Sequence, residues 1–446
     1  MATPFRQIAS AGRRVTLASL LVTIAGALAV AAVAAQQPRI ANGRVATQAA
    51  ASPLAASFRT LVAAQPDVAW IGYFVPVADR ERVMCCSGNG SNDGNWSSGS
   101  TMSCCGACRL EQTSTGTTAS PRTGAPAAAV KLEGSERVAV LYRVADRRVD
   151  RIRVYSEDCE LDAGGRAVHW LENVRPADSV ALLESFTAAD AGGRNRIVDG
   201  AVSAIAQHGD PSADASLERL MATSQPESLR KKVTFWLGNA RGRRGFDTLR
   251  RVMREDPSLE VRKSAVFGLS QSRVPETFDT LAAIARTDSE PRLRSEALFW
   301  LAQKGDARAA KVITDALEKD TSAEVRKKAV FALSQLDGDA GVPALVQIAR
   351  GHADPATRGE AIFWLGQKAG TKASAAITEL VERDPDTEVK KKAVFALSQL
   401  PKDEGVPLLI KVARTNPNAA VRKQAMFWLG QSKDPRAIDF FAEVLR

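Results

Sequence analysis

The sequence predicts a mainly α chain: a right-handed α-solenoid of stacked helix pairs preceded by a small antiparallel β-rich domain. Three observations carry this expectation. The stretch 328–336 (KAVFALSQL) returns at a fixed interval, so that Phe331 has counterparts at Phe235, Phe267, Phe299, Phe363, Phe395 and Phe427, each 32 residues from the next. A Leu stands two residues after each Phe, from Leu237 to Leu429, and a base five residues before it: Arg230, Arg262, Arg294, Arg326, Arg358, Lys390 and Arg422. Upstream, within 67–175, short segments alternate apolar and charged residues at period two, the pattern of half-buried strands. A gapless period of roughly 20–50 residues is the mark of a stacked repeat array.

Each element of the repeat follows from its residues. Val325, Ala329, Val330 and Leu333 are spaced four, one and three apart, which lays a broad apolar stripe along one helix. The upstream segment 341–350 (GVPALVQIAR) supplies the partner helix, and two such helices with short turns fill the unit. Asp256-Pro257, Asp354-Pro355, Asp384-Pro385 and Asn416-Pro417 precede second helices and fit an N-cap followed by Pro in the first turn. The terminal Gln series (Gln271, Gln303, Gln335, Gln367, Gln399, Gln431) is placed to satisfy the last helix carbonyls. Neither helix hides its stripe alone, so neighbouring units must stack. The first pair, 177–189 with 196–207, is degenerate: Ser203 replaces the Phe and Val198 the base. Seven regular pairs follow, and 435–446 forms one more first-type helix whose polar residues would close the array.

The xVRxxAxxxLxQ pattern (Val325, Arg326, Ala329, Leu333, Gln335 and their equivalents) resembles the short HEAT repeats of phycobilisome-lyase subunits and deoxyhypusine hydroxylase. The resemblance covers 177–446 and implies the fold, because the matching residues are those that make repeats stack. It also implies that the first base of each second helix joins an intramolecular ladder, paired with an acid or turn carbonyl of the adjacent repeat. The hydroxylase holds two irons with His-Glu pairs, whereas this chain has three histidines (His169, His208, His352) and no His-Glu dipeptide. A repeat-type hydroxylase or lyase therefore stands only as an alternative.

The rest of the chain reads as follows. Residues 1–35 hold Arg6, Arg13 and Arg14, then an apolar, Ala-rich run ending in Ala32, Ala34 and Ala35; this is the pattern of a secretory signal peptide cut after Ala34 or Ala35. An uncleaved anchor is the alternative, and no Cys follows the cut to suggest a lipoprotein. Export places the mature chain in the periplasm or outside the cell, with no membrane span once the signal is removed. Without the three arginines of 1–35, the formal charge of +10 falls to +7, which permits acidic partners without demanding them. Export also speaks against nucleic acid. Residues 36–66 read as a linker with a helical candidate at 54–64, then 67–175 as the β-rich domain. Strands are expected at 68–77, 129–132, 137–144, 148–156 and 168–174, with one sheet face wet and basic through Arg148, Arg151 and Arg153.

All six cysteines lie in this domain: Cys85, Cys86, Cys104, Cys105, Cys108 and Cys159. In an exported chain an even count over a short region reads as disulfides. Here they would pin the Gly/Ser-rich loop, with the Cys85/Cys86 pair joined to the 104–108 cluster and Cys159 taking one partner. Cys105 and Cys108 also have C-x-x-C spacing, so a metal site or a thiol oxidoreductase remains an alternative. No other catalytic motif is present, and no cofactor or metal is implied.

Two features of the array are candidates for contact. A Trp follows every second Phe, at Trp236, Trp300, Trp364 and Trp428, with Gly268, Ala332 and Ala396 between them; the array is thus built on a 64-residue double unit. Packing between repeats and an aromatic contact stripe are both open readings, with Trp236 and Trp428 as the exposed candidates. The basic runs, with Lys327 and Lys391 at their centre, are either a solvated face or an attraction for an acidic partner. The function expected is an exported scaffold that binds a protein or peptide on the repeat surface without catalysis.

Overall fold

The computed structural model describes residues 38–79, 108–111, 136–157, 159–189, 195–368 and 373–445. The leader 1–37, the strand expected at 129–132, and Cys85, Cys86, Cys104 and Cys105 lie outside them. Among the described residues no helix is long and apolar enough to cross a membrane.

Strands β1 (Ile40–Ala41), β2 (Arg44–Ala49), β3 (Ala69–Pro76), β4 (Cys108–Arg109), β5 (Arg137–Ala145), β6 (Arg148–Ser156), β7 (Leu161–Asp162) and β8 (Ala167–Glu172) form two sheets, and α1 (Leu54–Ala63) lies between β2 and β3. The main sheet runs β2-β8-β3-β5-β6. Its β3, β5 and β6 are antiparallel, but β8 runs parallel to both β2 and β3. The sheet is therefore mixed rather than antiparallel. The reason is the stretch 36–66, read as a linker: it supplies an edge strand, and α1 buries Leu54, Phe58 and Val62 in the core. The helical candidate at 54–64 is α1, with one apolar residue buried per turn.

Nor is one sheet face wet. Ile71, Tyr73, Val140, Tyr142, Ile152 and Val154 face the helices, while Trp70, Leu141, Val168 and Trp170 on the other face are buried with Leu110, Cys159 and Leu161. The short parallel sheet β1-β7-β4 contributes Leu161 to that second layer. Gly72 belongs here because a Cβ would lie 2.7 Å from the Trp170 ring. Arg148 is exposed as expected, but Arg151 and Arg153 are half-buried. Arg153 donates to the Tyr155 hydroxyl at 2.9 Å, and Arg143 binds Glu111 and Asp150.

Helices then pair in sequence: α2 (Pro176–Ser185) with α3 (Arg196–Gln207), α4 (Pro211–Leu220) with α5 (Glu227–Ala240), α6 (Gly242–Glu255) with α7 (Leu259–Gln271), and α8 (Thr277–Thr287) with α9 (Pro291–Ala302). There follow α10 (Ala309–Lys319) with α11 (Ala323–Ser334), α12 (Val342–Gly351) with α13 (Pro355–Lys368), α14 (Ser374–Arg383) with α15 (Thr387–Ser398), α16 (Lys402–Thr415) with α17 (Ala419–Ser432), and finally α18 (Pro435–Val444). Val325, Ala329, Val330 and Leu333 are buried, as are Val389, Ala393, Val394 and Leu397 two helix pairs on. The outer face of α18 is mixed: Arg436, Asp439 and Glu443 are exposed as expected, but so are Ile438, Val444 and Leu445.

The base of each second helix plays two parts. Arg230, Arg294, Arg326, Arg358 and Arg422 each donate Nη1 to carbonyls five to seven residues back, in the turn that opens their own helix. Every second one also reaches the next repeat: Arg230 to Asp256, Arg294 to Asp320 and Arg358 to Asp384, each with two N–H···O bonds of 2.7–3.1 Å. Asp256 and Asp384 are thus acceptors for arginine, and the N-caps fall further on, at Ser258 and Asp386. Asp354 alone of those expected caps its helix directly, accepting from Ala356 and Thr357. The Arg294 guanidinium beside it holds the Asp320 carboxyl below its usual range. Nor do the Gln amides serve the helix ends: Gln271, Gln335 and Gln399 donate to neighbouring serine hydroxyls, while Lys304 and Lys368 of the following repeats reach Ser270 O and Ser334 O.

The sheet is fused to the first helix pair. α3 lies so close on β6 that a Cβ on Gly200 would stand 2.5 Å from Ile152 O. A buried polar chain crosses the same junction: Tyr142 OH to Tyr73 OH 2.6 Å, Tyr73 OH to Ser179 Oγ 2.7 Å, and Ser179 Oγ to His208 Nε2 2.8 Å. His208 Nδ1 donates to Ala204 O at 2.7 Å. A carbonyl only accepts, so the neutral ring accepts at Nε2 and the hydroxyls donate in one direction along the chain. Burial pushes His208 down to about 4 and Tyr73 up to about 12.

Two outcomes follow. Removing one partner of a buried bidentate pair leaves the other charged and desolvated, so Asp384→Ala lowers stability by ~3–5 kcal/mol, read by urea unfolding; a loss under about 1 kcal/mol, the range of exposed pairs, contradicts this. The second concerns pH. The unfolded chain takes up a proton at His208 near its ordinary value and the folded chain near 4. This group's contribution is therefore complete above pH ~6.5 and is lost as pH falls towards 4, about 3 kcal/mol in all. A His208→Gln variant, compared with the parent over that window, loses this part of the pH slope.

Candidate functional site

The second helices present one continuous face. Along α11, Phe331 has Lys327 four residues before it and Gln335 four after, so it shares their side of the helix and not that of Val325 and Leu333. Six of the seven Phe rings accordingly stand half-buried, and the seventh, Phe427, is 54% exposed. They form an unbroken row. Phe235 lies parallel to Phe267 with centroids 5.8 Å apart, and Phe299–Phe331 and Phe363–Phe395 repeat the contact at 6.0 Å. Trp residues bridge one double unit to the next: Phe267–Trp300 at 4.6 Å, Phe331–Trp364 at 5.0 Å and Phe395–Trp428 at 5.0 Å.

Trp236, Trp300, Trp364 and Trp428 are all half-buried and packed on the core. They join packing and surface, since each is edge-on to its own Phe. The exposed residue at the array's end is Phe427 and not a tryptophan. Between them Gly268, Ala332 and Ala396 are buried where repeats approach most closely; a Cβ on Gly268 would lie 2.4 Å from Thr234 O. The Trp300 and Trp364 indoles donate to Glu296 at 2.6 Å and Glu360 at 3.1 Å. At the fourth Trp, Gln424 replaces the glutamate, and Trp428 Nε1 is buried without an acceptor.

Charge borders this row. Lys327 is exposed, Lys391 pairs with Glu388 at 3.0 Å, and Lys328 lies 4.7 Å from the Phe331 centroid and 5.2 Å from that of Phe299. Where α9, α11 and α13 meet, the face opens into a groove of about 550 Å³, with Ser295, Phe331 and Trp364 among its lining. The sequence reading had singled out Lys327 and Trp364 in this groove. It missed the Phe row as a surface and missed Ser295, although the polar residue four after each Phe, from Asn239 to Gln431, signalled the first.

The other candidates do not converge on this face. Cys159 is buried in the second sheet layer and disulfide-bonded, and the backbone of Cys108 pairs in parallel with Leu161. His169 bonds Gln65 at 2.9 Å, His208 belongs to the buried chain, and His352 Nδ1 accepts from Asp354 N. Among the described residues no three His, Cys, Asp or Glu side chains gather as metal ligands would.

The family model described as HEAT repeats matches residues 220–299, 278–350, 342–415 and 374–446, half of the chain. No curated protein matches it. Among solved structures, human deoxyhypusine hydroxylase is similar at 17% identity, over 58% of this chain and 97% of that one, with a TM-score of 0.26. The E. coli protein YibA is similar at 20% identity, over 52% and 86%, with a TM-score of 0.31. Kap95p, solved with RanGDP, is similar at 15% identity, over 58% and 41%, with a TM-score of 0.37.

Gln424→Glu gives Trp428 the carboxylate acceptor that Trp300 and Trp364 have. It is expected to stabilise the chain by about 1 kcal/mol, read as a raised urea midpoint by Trp fluorescence. An unchanged or lowered midpoint contradicts this account of the double unit.

Proposed function

The chain belongs to the HEAT-repeat family, and from that premise we propose that it is an exported scaffold whose second-helix face holds a protein or peptide partner. The observation that supports this most is the half-exposed aromatic row from Phe235 to Phe427, unbroken by any charged residue at the Phe position. Core packing alone does not require it, because the apolar stripe of Val, Ala and Leu already fills the space between repeats. A solenoid face of this length lets a partner spread many modest contacts, with aromatic residues as the anchors. Export is supported by the basic and then Ala-rich leader and by the disulfide at Cys159, since such bonds persist in oxidising compartments. In this reading the cysteines staple the β-rich domain and the protein carries out no catalysis. A thiol oxidoreductase using Cys105 and Cys108 is the runner-up, and thiols open to alkylation in the native protein would favour it.

Lysines mark the two sides of the array, so cross-linking tests the face directly. An amine-reactive cross-linker applied to the natively purified protein with its partner is expected to join the partner to Lys231, Lys263, Lys327, Lys391 and Lys423 of second helices. Cross-links confined to Lys311, Lys319 and Lys411 of first helices, or to the β-rich domain, would overturn the reading.

A further inference from the structure

The repeat of α9 differs from the repeats on either side of it at two positions, and both line the same groove. Two residues before the base, the seven regular repeats carry Ser228, Glu260, Arg292, Glu324, Ala356, Glu388 and Ala420; one residue after it they carry Lys231, Lys263, Ser295, Lys327, Gly359, Lys391 and Lys423. Where the first column holds Glu, the second holds Lys one turn on, and Glu260–Lys263 and Glu388–Lys391 pair at 3.5 and 3.0 Å. In α9 the pair becomes Arg292 and Ser295. A neutral Glu-x-x-Lys is thus replaced by an unneutralised cation and a hydroxyl, and the groove opens where the lysine stem would have lain.

Ser295 is 6% exposed, and its Oγ is buried with no hydrogen-bond partner. A buried hydroxyl with no partner costs on the order of its full desolvation, and in a helix it would ordinarily bond the carbonyl four residues back. It lines the groove instead, beside the Phe331 and Trp364 rings. The cations there are Lys263, Arg292, Lys327 and Lys328, and the acids are Glu296, Glu324 and Glu360. Glu296 and Glu360 already accept an indole N–H each, and Lys263 is paired with Glu260. Arg292 and Lys327 have no side-chain partner among the described residues. Glu296 and Glu360 keep their charge after accepting one N–H each, so the lining holds four cations against three carboxylates, and Arg292 and Lys327 are cations in it that no carboxylate of the described residues engages.

We propose that this groove anchors an extended segment of a partner protein through a carboxylate side chain beside a bulky apolar one. The carboxylate meets Arg292, Lys327 and the Ser295 hydroxyl, and the apolar side chain lies on Phe331 and Trp364. A charge-assisted fork of this kind favours a carboxylate over its amide, and a volume of this size suits a short stretch of chain and not a folded domain. The inference rests on the reading of the array as a scaffold and names the chemistry of its partner.

The test pans a random peptide library displayed on phage against the full chain and measures the affinity of an enriched, labelled peptide by fluorescence anisotropy. Enriched peptides are expected to carry Asp or Glu within two residues of a Phe, Leu, Ile or Met. Affinity is expected to fall roughly tenfold or more when that acid becomes its amide. It falls equally when Arg292→Glu with Ser295→Lys rewrites the repeat as the Glu-x-x-Lys of its neighbours. Both residues already stand at equivalent positions in folded repeats, and Ser295→Lys alone serves if the pair unfolds. Enriched peptides without an acid, or affinity indifferent to these variants, would sink the inference and leave the scaffold reading standing. A library with no enriched peptide would sink both.

Discussion

Each helix pair buries its apolar stripe only against the pairs before and after it, and the rest of the molecule depends on that mutual burial. Val325, Ala329, Val330 and Leu333 reach zero exposure because a neighbouring second helix lies across them. Helices this close leave turn carbonyls and charges between repeats, and Arg230, Arg294, Arg326, Arg358 and Arg422 of the second helices gather them. In alternate repeats the arginine adds a carboxylate from the next unit. The stack needs a beginning, and the β-rich domain supplies it. Gly200 lets α3 rest directly on β6, and the Tyr142–Tyr73–Ser179–His208 chain ties strands and helices into one core.

The 64-residue double unit gives the second-helix face its character. A Trp in one repeat leans on the Phe of the repeat before it, and the Gly or Ala in the next repeat lets the backbones approach. Large and small residues thus alternate below the surface while the Phe row stays continuous above. The same alternation appears in the arginine bridges and in Lys304 and Lys368. On this face Arg292 and Ser295 stand where both flanking repeats carry Glu and Lys.

The array was legible because stacking requires the same residues at the same spacing in every copy: Phe, Leu and base at 32 residues stated the helix pair outright. The direction of the arginines was only half legible. An Asp before a Pro reads locally as a cap, and its commitment to Arg230 or Arg358 lies 26 residues away. The β-rich domain was harder. Its strands at 137–144 and 148–156 showed their alternation, but the parallel pairing of β2 with β8 joins residues more than 120 apart, and nothing in the local pattern marks it. Of the site, Trp364 and Lys327 stood out by type. Ser295 did not, since an ordinary residue becomes informative only when its hydroxyl is seen buried and unbonded.

The central claim is that the Phe row is a surface kept half-open for a partner, and hydroxyl-radical footprinting with peptide mass spectrometry measures it most directly. The account predicts oxidation at Phe235, Phe267, Phe299, Phe331, Phe363, Phe395 and, fastest, Phe427, while the buried Phe58, Phe246 and Phe440 stay protected; addition of the partner then suppresses oxidation along the row. A row as protected as the core, or one whose oxidation the bound partner leaves unchanged, would contradict it.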